Sequence, residues 1–305
     1  MYNIFICYTP FHLNMAYSVI VHESLTQTCL IYLPKFWNTK SQFYFDLAKN
    51  YFDMAFKFVI KKSYLNDYFQ LKKIAKSCPE NGHVYIGNPK TMYSRFLLSN
   101  LNYNDWTLFD DGIGHFLKKS YYFSSLKESK ISHIYFKFFN SNHLYKNLKS
   151  AYTKHYSLFD KFNSYDNSNR IKIKYQSLCP DLQEHKQDID LLVTSCLSEN
   201  GLLDPETEKK YYHQIIQSEN LSHVLLHPLE NKNKTSLAPL STELIAEDLV
   251  AQGSISKIAG IMSTSLITAK LIQKKVECVN YYYKGSNPKL LELFNSLCIK
   301  NIQLK

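Results

Sequence analysis

Short apolar runs alternate with amphipathic stretches along this chain, the arrangement of parallel strands crossed by helices. In the first half YNIFICY, TCLIYL, AFKFVI, HVYIG and WTLFD predict strands, and helical spacing predicts helices around 11–23, 40–52, 64–77 and 91–101. A polar stretch at about 163–174 has no clear period and predicts the start of a connection. The second half restarts with DIDLLVTS, HVLLHP, SKIAGIM and VECVNYY as strands, and with helices near 205–218, 241–251, 264–274 and 287–298. The expected fold is α/β, with one Rossmann-like domain over 1–170 and a second over 171–305, the two facing a central cleft. Open sheets of this kind bind ligands beyond the carboxyl ends of their strands, so the residues that follow each strand carry the functional argument.

Charge narrows the partners. A formal net charge of +10 over 305 residues favours nucleotides, phosphorylated glycans, nucleic acid or an anionic membrane face. The opening MYNIFICYTPFHLNMA lacks a basic segment before its apolar stretch and meets Pro10. Neither a signal peptide nor a membrane span is expected there, and the expected compartment is the cytoplasm. The seven cysteines are widely spaced and form no CxxC pair, which reads as reduced thiols instead of zinc ligands. Eight glycines make neither GxGxxG nor a Walker loop, which argues against NAD enzymes and P-loop kinases.

Three strand ends hold the candidate chemistry. FDDGIG places Asp110 and Asp111 side by side before Gly112. A solvated turn explains that pair, and so does a site in which like charges tune one another. HVLLHP ends in His227 and Pro228, where an imidazole can act as general acid toward a leaving phosphate, or simply hold the chain by a hydrogen bond. Ser263, Thr264 and Ser265 stand where SKIAGIM runs into a helix. Hydroxyls and free N–H groups there suit a phosphate, and an ordinary N-cap accounts for the same residues.

In combination these pieces are more specific. CYTPFHLNMA, FDDGIG, KHYSLF at 154–159, LLHP at 225–228, TELIAEDLV at 242–250 and STSL at 263–266 occur in an order that resembles the bacterial lipooligosaccharide sialyltransferases, glycosyltransferase family 52. The resemblance implies a two-domain GT-B architecture and inverting, metal-independent transfer of sialic acid from CMP-sialic acid to a terminal galactose-type acceptor, on lipooligosaccharide or capsule. It implies no cofactor beyond the donor. His227 would be the acid, and His227, Pro228, Ser263, Thr264 and Ser265 would hold the CMP group. The base implied lies in the loop TSCLSENGLLDPETEK, upstream of HP, where Asp204 and Glu199 both qualify; Asp204 is favoured by its spacing to His227, although Asp204 before Pro205 also reads as a plain N-cap. Asp110 and Asp111 would then shape the acceptor side, with Thr9, His12 and Gly112 near the sugar. The resemblance allows a homodimer, and the lysines of KKSYLNDYFQLKKIAK suggest a hold on the inner membrane leaflet.

Rival readings are a transferase of the same family with another nucleotide sugar, a metal-dependent transferase using Asp188 and Asp190 as a DxD motif, and a basic nucleic-acid-binding protein. The last is disfavoured because the charges form no arginine-rich stripe.

Overall fold

The computed structural model describes residues 1–61, 63–112, 152–159, 170–179, 188–227, 230 and 233–304. It divides into two compact units, Met1–Leu178 and Cys179–Lys305. The first unit therefore runs past the expected boundary at 170. Gln176 N–H donates to Ser18 Oγ at 2.8 Å and Leu178 N–H to Asn14 Oδ1 at 3.0 Å, so backbone donors of the segment are satisfied by the first helix.

In the first unit the described strands are β1 (Asn3–Cys7), β2 (Thr28–Tyr32), β3 (Met54–Lys57), β4 (Gly82–Ile86), β5 (Tyr103–Phe109), β6 (Tyr152–Ser157) and β7 (Arg170–Lys172). They form one parallel sheet in the order β3-β2-β1-β4-β5-β6-β7. β1 and β2 are buried at every position, as strands covered on both faces must be. β7 lies inside the stretch expected to be a connection. Its Arg-Ile-Lys pattern is too short and polar to announce a strand, and its place comes from pairing with β6.

Helices α1 (Pro10–Glu23), α2 (Thr39–Ala48), α3 (Tyr64–Ser77) and α4 (Met92–Asn100) connect the first five strands. α1 starts with Thr9 as N-cap and Pro10 in its first turn, and ends at Ser24 in the left-handed region. α3 and α4 bury Leu71, Ala75, Phe96 and Leu97 against Ile4, Ile6, Val84 and Ile86 of the sheet, the largely apolar contact that makes this half a domain.

The second unit repeats the plan with β8 (Ile189–Val193), β9 (His223–Leu225), β10 (Ile255–Ile261), β11 (Glu277–Tyr282) and β12 (Lys300–Gln303), again parallel, in the order β12-β11-β10-β8-β9. Its helices are α5 (Pro205–Glu219), α6 (Ala246–Ala251), α7 (Thr264–Ile272) and α8 (Pro288–Ser296). α6 is shorter than the helix expected over 241–251, beginning only at Ala246. β9 also ends earlier than HVLLHP suggests. The His227 N–H leaves the ladder for side chains, donating to Thr194 Oγ1 at 2.8 Å and to Glu230 Oε2 at 3.0 Å.

Candidate active site

Each sheet reverses its strand order once, and each reversal gathers polar side chains at the carboxyl edge. In the first sheet the reversal lies between β1 and β4, so the residues after β1, β4 and β5 converge. Tyr8 N–H donates to His12 Nδ1 at 3.2 Å. With Nδ1 accepting, the ring proton of neutral His12 sits on Nε2, which donates to Asp111 Oδ1. Asn88 Nδ2 donates to the other carboxylate oxygen of Asp111 at 2.9 Å. The His12 side chain is 1% exposed and that of Asp111 12%. The imidazole is the buried end of this relay and the carboxylate is its accessible end.

Close packing enforces the arrangement. A Cβ added at Gly87 would stand 2.7 Å from His12 Cε1 and 2.9 Å from Phe109 Cε2. Phe109 meets His12 edge to face, with ring centres 5.5 Å apart. Gly112 has a φ of 102°, which lets the chain turn sharply after the two aspartates.

Asp110 does different work. It is buried, and accepts from His155 Nε2 at 2.9 Å, Ser157 Oγ at 3.0 Å and Leu158 N–H at 2.8 Å. Its partners come from β6 and the residues just beyond it, whereas those of Asp111 come from α1 and the segment after β4. Successive residues of an extended strand project oppositely, so the adjacent carboxylates never share an environment. Thr9 is exposed and caps α1, accepting from His12 N–H at 3.2 Å.

In the second sheet the reversal lies between β8 and β10, with β9 on the far side of β8. Met262, after β10, takes a φ of 49°, a strained conformation for a residue with a side chain. Its N–H is held by Asn280 Oδ1 at 2.9 Å and Tyr281 O at 3.1 Å. This bend sets Ser263 as N-cap of α7, yet no side chain of the cap bonds back to the helix. The leading N–H groups of α7 therefore stand beside the hydroxyls of Ser263, Thr264 and Ser265. Behind them Glu247 of α6 is buried, accepts from Thr268 Oγ1 at 2.8 Å and contacts the Ser265 hydroxyl. Burial raises its carboxyl above the usual range.

Across β8, His227 Nδ1 lies 3.1 Å from Cys196 Sγ. Glu230 clamps the same segment, accepting from His227 N–H and from the Thr194 hydroxyl. Pro228, the other half of the HP motif, lies outside the described residues.

Lys234 completes this cluster. Its ammonium pairs with Glu199 at 2.7 Å, Glu208 at 2.8 Å and Glu230 at 3.1 Å, and these carboxylates lie close enough together to hold a metal ion. Burial alone would lower the Lys234 pKa, but bonds to all three glutamates outweigh it and hold the group above its ordinary value. Sequence reading passed over Lys234, Glu208 and Glu230; their only signal was the recurrence of glutamates around the loop after β8.

The two candidate bases differ in setting. Asp204 is exposed and caps α5, accepting from Thr207 N–H at 2.9 Å, and hydrogen bonding by the Thr207 side chain and then by its N–H lowers the Asp204 pKa. Burial tends to raise Glu199, yet its bond to Lys234 wins and lowers it. Asp188 and Asp190, the DxD candidates, enter β8 at its amino end, and Asp190 Oδ1 accepts from Ser256 Oγ at 2.6 Å. They stand at the edge opposite the hydroxyls of 263–265.

A family model described as glycosyltransferase family 52 matches residues 26–279. No curated protein is matched. Among solved structures, Staphylococcus aureus MnaA in its UDP co-structure is similar with a TM-score of 0.53 at 11% identity, over 96% of this chain and 82% of that one. A family 9 glycosyl transferase from Veillonella parvula gives a TM-score of 0.45 at 14% identity, over 99% of this chain and 86% of that one. MurG from Acinetobacter baumannii gives a TM-score of 0.43 at 10% identity, over 99% of this chain and 86% of that one. Likeness at such identity speaks to fold alone, and the fold is the α/β GT-B type.

Proposed function

Because the chain belongs to glycosyltransferase family 52, we propose that this glycosyltransferase moves sialic acid, with inversion and without a metal, from CMP-sialic acid to a terminal galactose-type hydroxyl of a bacterial surface glycan, lipooligosaccharide or capsule. The observation that supports this most is the carboxyl edge of the second sheet. An imidazole with one nitrogen already engaged and a run of hydroxyls at a helix start follow strands on either side of β8.

Departure of the donor phosphate leaves an oxocarbenium-like sugar, so the reaction needs an acid or cation at the leaving group and a base at the acceptor hydroxyl. In this reading Ser263, Thr264 and Ser265, with the N–H groups opening α7, hold the CMP phosphate. His227 serves the leaving group by donating an Nε2–H hydrogen bond to the departing oxygen, which carries the developing charge without full transfer of the proton, while the Cys196 thiol donates to Nδ1. Asp204 takes the acceptor proton, because Glu199 is already committed to Lys234. Asp111, held by His12 and Asn88, binds an acceptor hydroxyl. The Lys234 ammonium supplies the positive charge that Glu199, Glu208 and Glu230 would otherwise draw from a metal. The acceptor lies on a lipid-linked glycan, which puts the chain in the cytoplasm at the inner membrane face.

The test is incubation with CMP-sialic acid and a lactose-type acceptor. Release of CMP with sialyl-lactose formation is expected, with loss in His227→Ala and in Asp204→Ala but not in Glu199→Ala. Turnover of UDP-sugars alone defeats the donor assignment, and a near-normal rate for His227→Ala removes it as the acid.

A further inference from the structure

Exposed apolar side chains gather at one edge of the first unit. β2 and β3 are neighbours in the sheet, and the chain leaves both at the carboxyl edge. After β2 it presents Phe36, 46% exposed, with Lys35 Nζ 5.4 Å from the ring centre. After β3 it enters α3, whose first two turns present Leu65 and Phe69, 54% and 59% exposed. A spacing of four puts these two on one helix face. Lys73 and Lys76 continue along the outer side and Lys61 precedes the helix, all exposed.

The opposite side of α3 is fixed in the core through Tyr68, Leu71 and Ala75, so Leu65 and Phe69 are outside because the helix register puts them there. Over residues 57–76 the acidic side chain is Asp67, which is buried and accepts from Tyr93 Oη at 3.1 Å. Lys57, Lys61, Lys62, Lys72, Lys73 and Lys76 fall in the same stretch.

Large apolar side chains on adjacent turns, ringed by lysines, mark a surface built for contact. A bilayer of anionic lipid offers both complements at once, phosphates for the ammonium groups and an acyl boundary for Leu and Phe. We infer that this edge docks on an anionic lipid surface, with Leu65 and Phe69 entering the headgroup boundary and Lys61, Lys73 and Lys76 meeting lipid phosphates. No described helix is long and apolar enough to cross a membrane, so the contact is peripheral. It names a face for the membrane partner of the proposed function, and it stands on the exposed face whatever the donor proves to be. Thr9 and Asp111 leave the same edge of the sheet, so docking would bring a lipid-borne acceptor to them.

Flotation of the full chain with phosphatidylcholine vesicles, with and without phosphatidylglycerol, tests this. The wild type is expected to float with the anionic vesicles and to be released by salt. Leu65→Ser with Phe69→Ser should lower partitioning at least about tenfold, and Lys73→Glu with Lys76→Glu should abolish the preference for phosphatidylglycerol. Both pairs are surface changes, and circular dichroism should report an unchanged fold. Absence of wild-type binding, or equal binding by the variants, overturns the inference. A concentration-dependent dimer in sedimentation that Leu65→Ser with Phe69→Ser abolishes, without vesicle binding, would give the face to a second copy and overturn it too. Transfer to a soluble acceptor is expected to survive these changes, so failure of docking and failure of the sialyltransferase reading are read separately.

Discussion

Cys196 Sγ lies 3.1 Å from His227 Nδ1, and this contact decides which ring nitrogen bears the proton. Burial, with the charges of Glu230 and Glu199 adding to it, pushes the Cys196 thiol up to about 11. At neutral pH the sulfur keeps its proton and donates it to Nδ1, so Nε2 is the N–H of the neutral ring. Cys196→Ala should release the tautomer, visible in the ¹⁵N shifts of His227. The rate kcat should fall about tenfold with KM little changed, and Cys196→Ser, which keeps a donor, should restore most of the rate.

Asp110 and Asp111 are expected to fail differently. Asp110→Ala leaves His155, Ser157 and the Leu158 N–H without their buried acceptor, and should cost about 3–5 kcal/mol of stability. Asp111→Asn keeps one acceptor oxygen for the two donors, so it should cost less, about 1–2 kcal/mol, and raise the KM for the acceptor. Denaturant titration beside acceptor kinetics separates the two outcomes.

Glu247 predicts a stability that depends on pH. Its carboxyl is raised in the folded chain chiefly by burial, with no lysine or arginine among the causes. A raised acid binds its proton more tightly folded than unfolded, so stability falls as pH rises from the ordinary glutamate range through the folded pKa. Glu247→Gln removes that dependence. Its melting temperature should match the wild type near pH 4 and exceed it by about 2–4 °C at pH 8. An unchanged difference across that range would contradict the burial account.

Lys234 stands where a cation is needed. Lys234→Ala leaves the buried carboxylates of Glu208 and Glu230 facing one another with Glu199, and should cost about 3 kcal/mol. Calcium should raise the melting temperature of this variant and not that of the wild type. Chelation with EDTA should leave the wild-type transfer rate unchanged.

Much of the fold could be read from the chain because parallel strands are covered on both faces and appear as continuous apolar runs, as in NIFIC and TCLIY. β6, β7 and β12, with YTKHYS, RIK and KNIQ, carry no such run. Each lies toward the side of its sheet and is specified by the neighbour it pairs with. For the candidate site, strand ends put His12, Asp111, His227 and Ser263–Ser265 at the carboxyl edges of their sheets, because topology alone delivers residues there. Their partners were not legible. Asp110 meets Leu158 and Thr194 meets Glu230 across long separations in sequence, and Lys234 looks like any surface lysine until the loops that surround it are folded.

The opposite destinations of Asp110 and Asp111 make β5 sensitive to parity. Deleting one residue within Trp106–Phe109 would exchange their projections, sending the carboxylate meant for His12 toward β6 and its neighbour toward α1. Deleting two would keep the sides and only shorten the reach. Length variation in this strand should therefore be tolerated in even steps and punished in odd ones, a rule that a pair of deletion variants can expose by melting temperature alone.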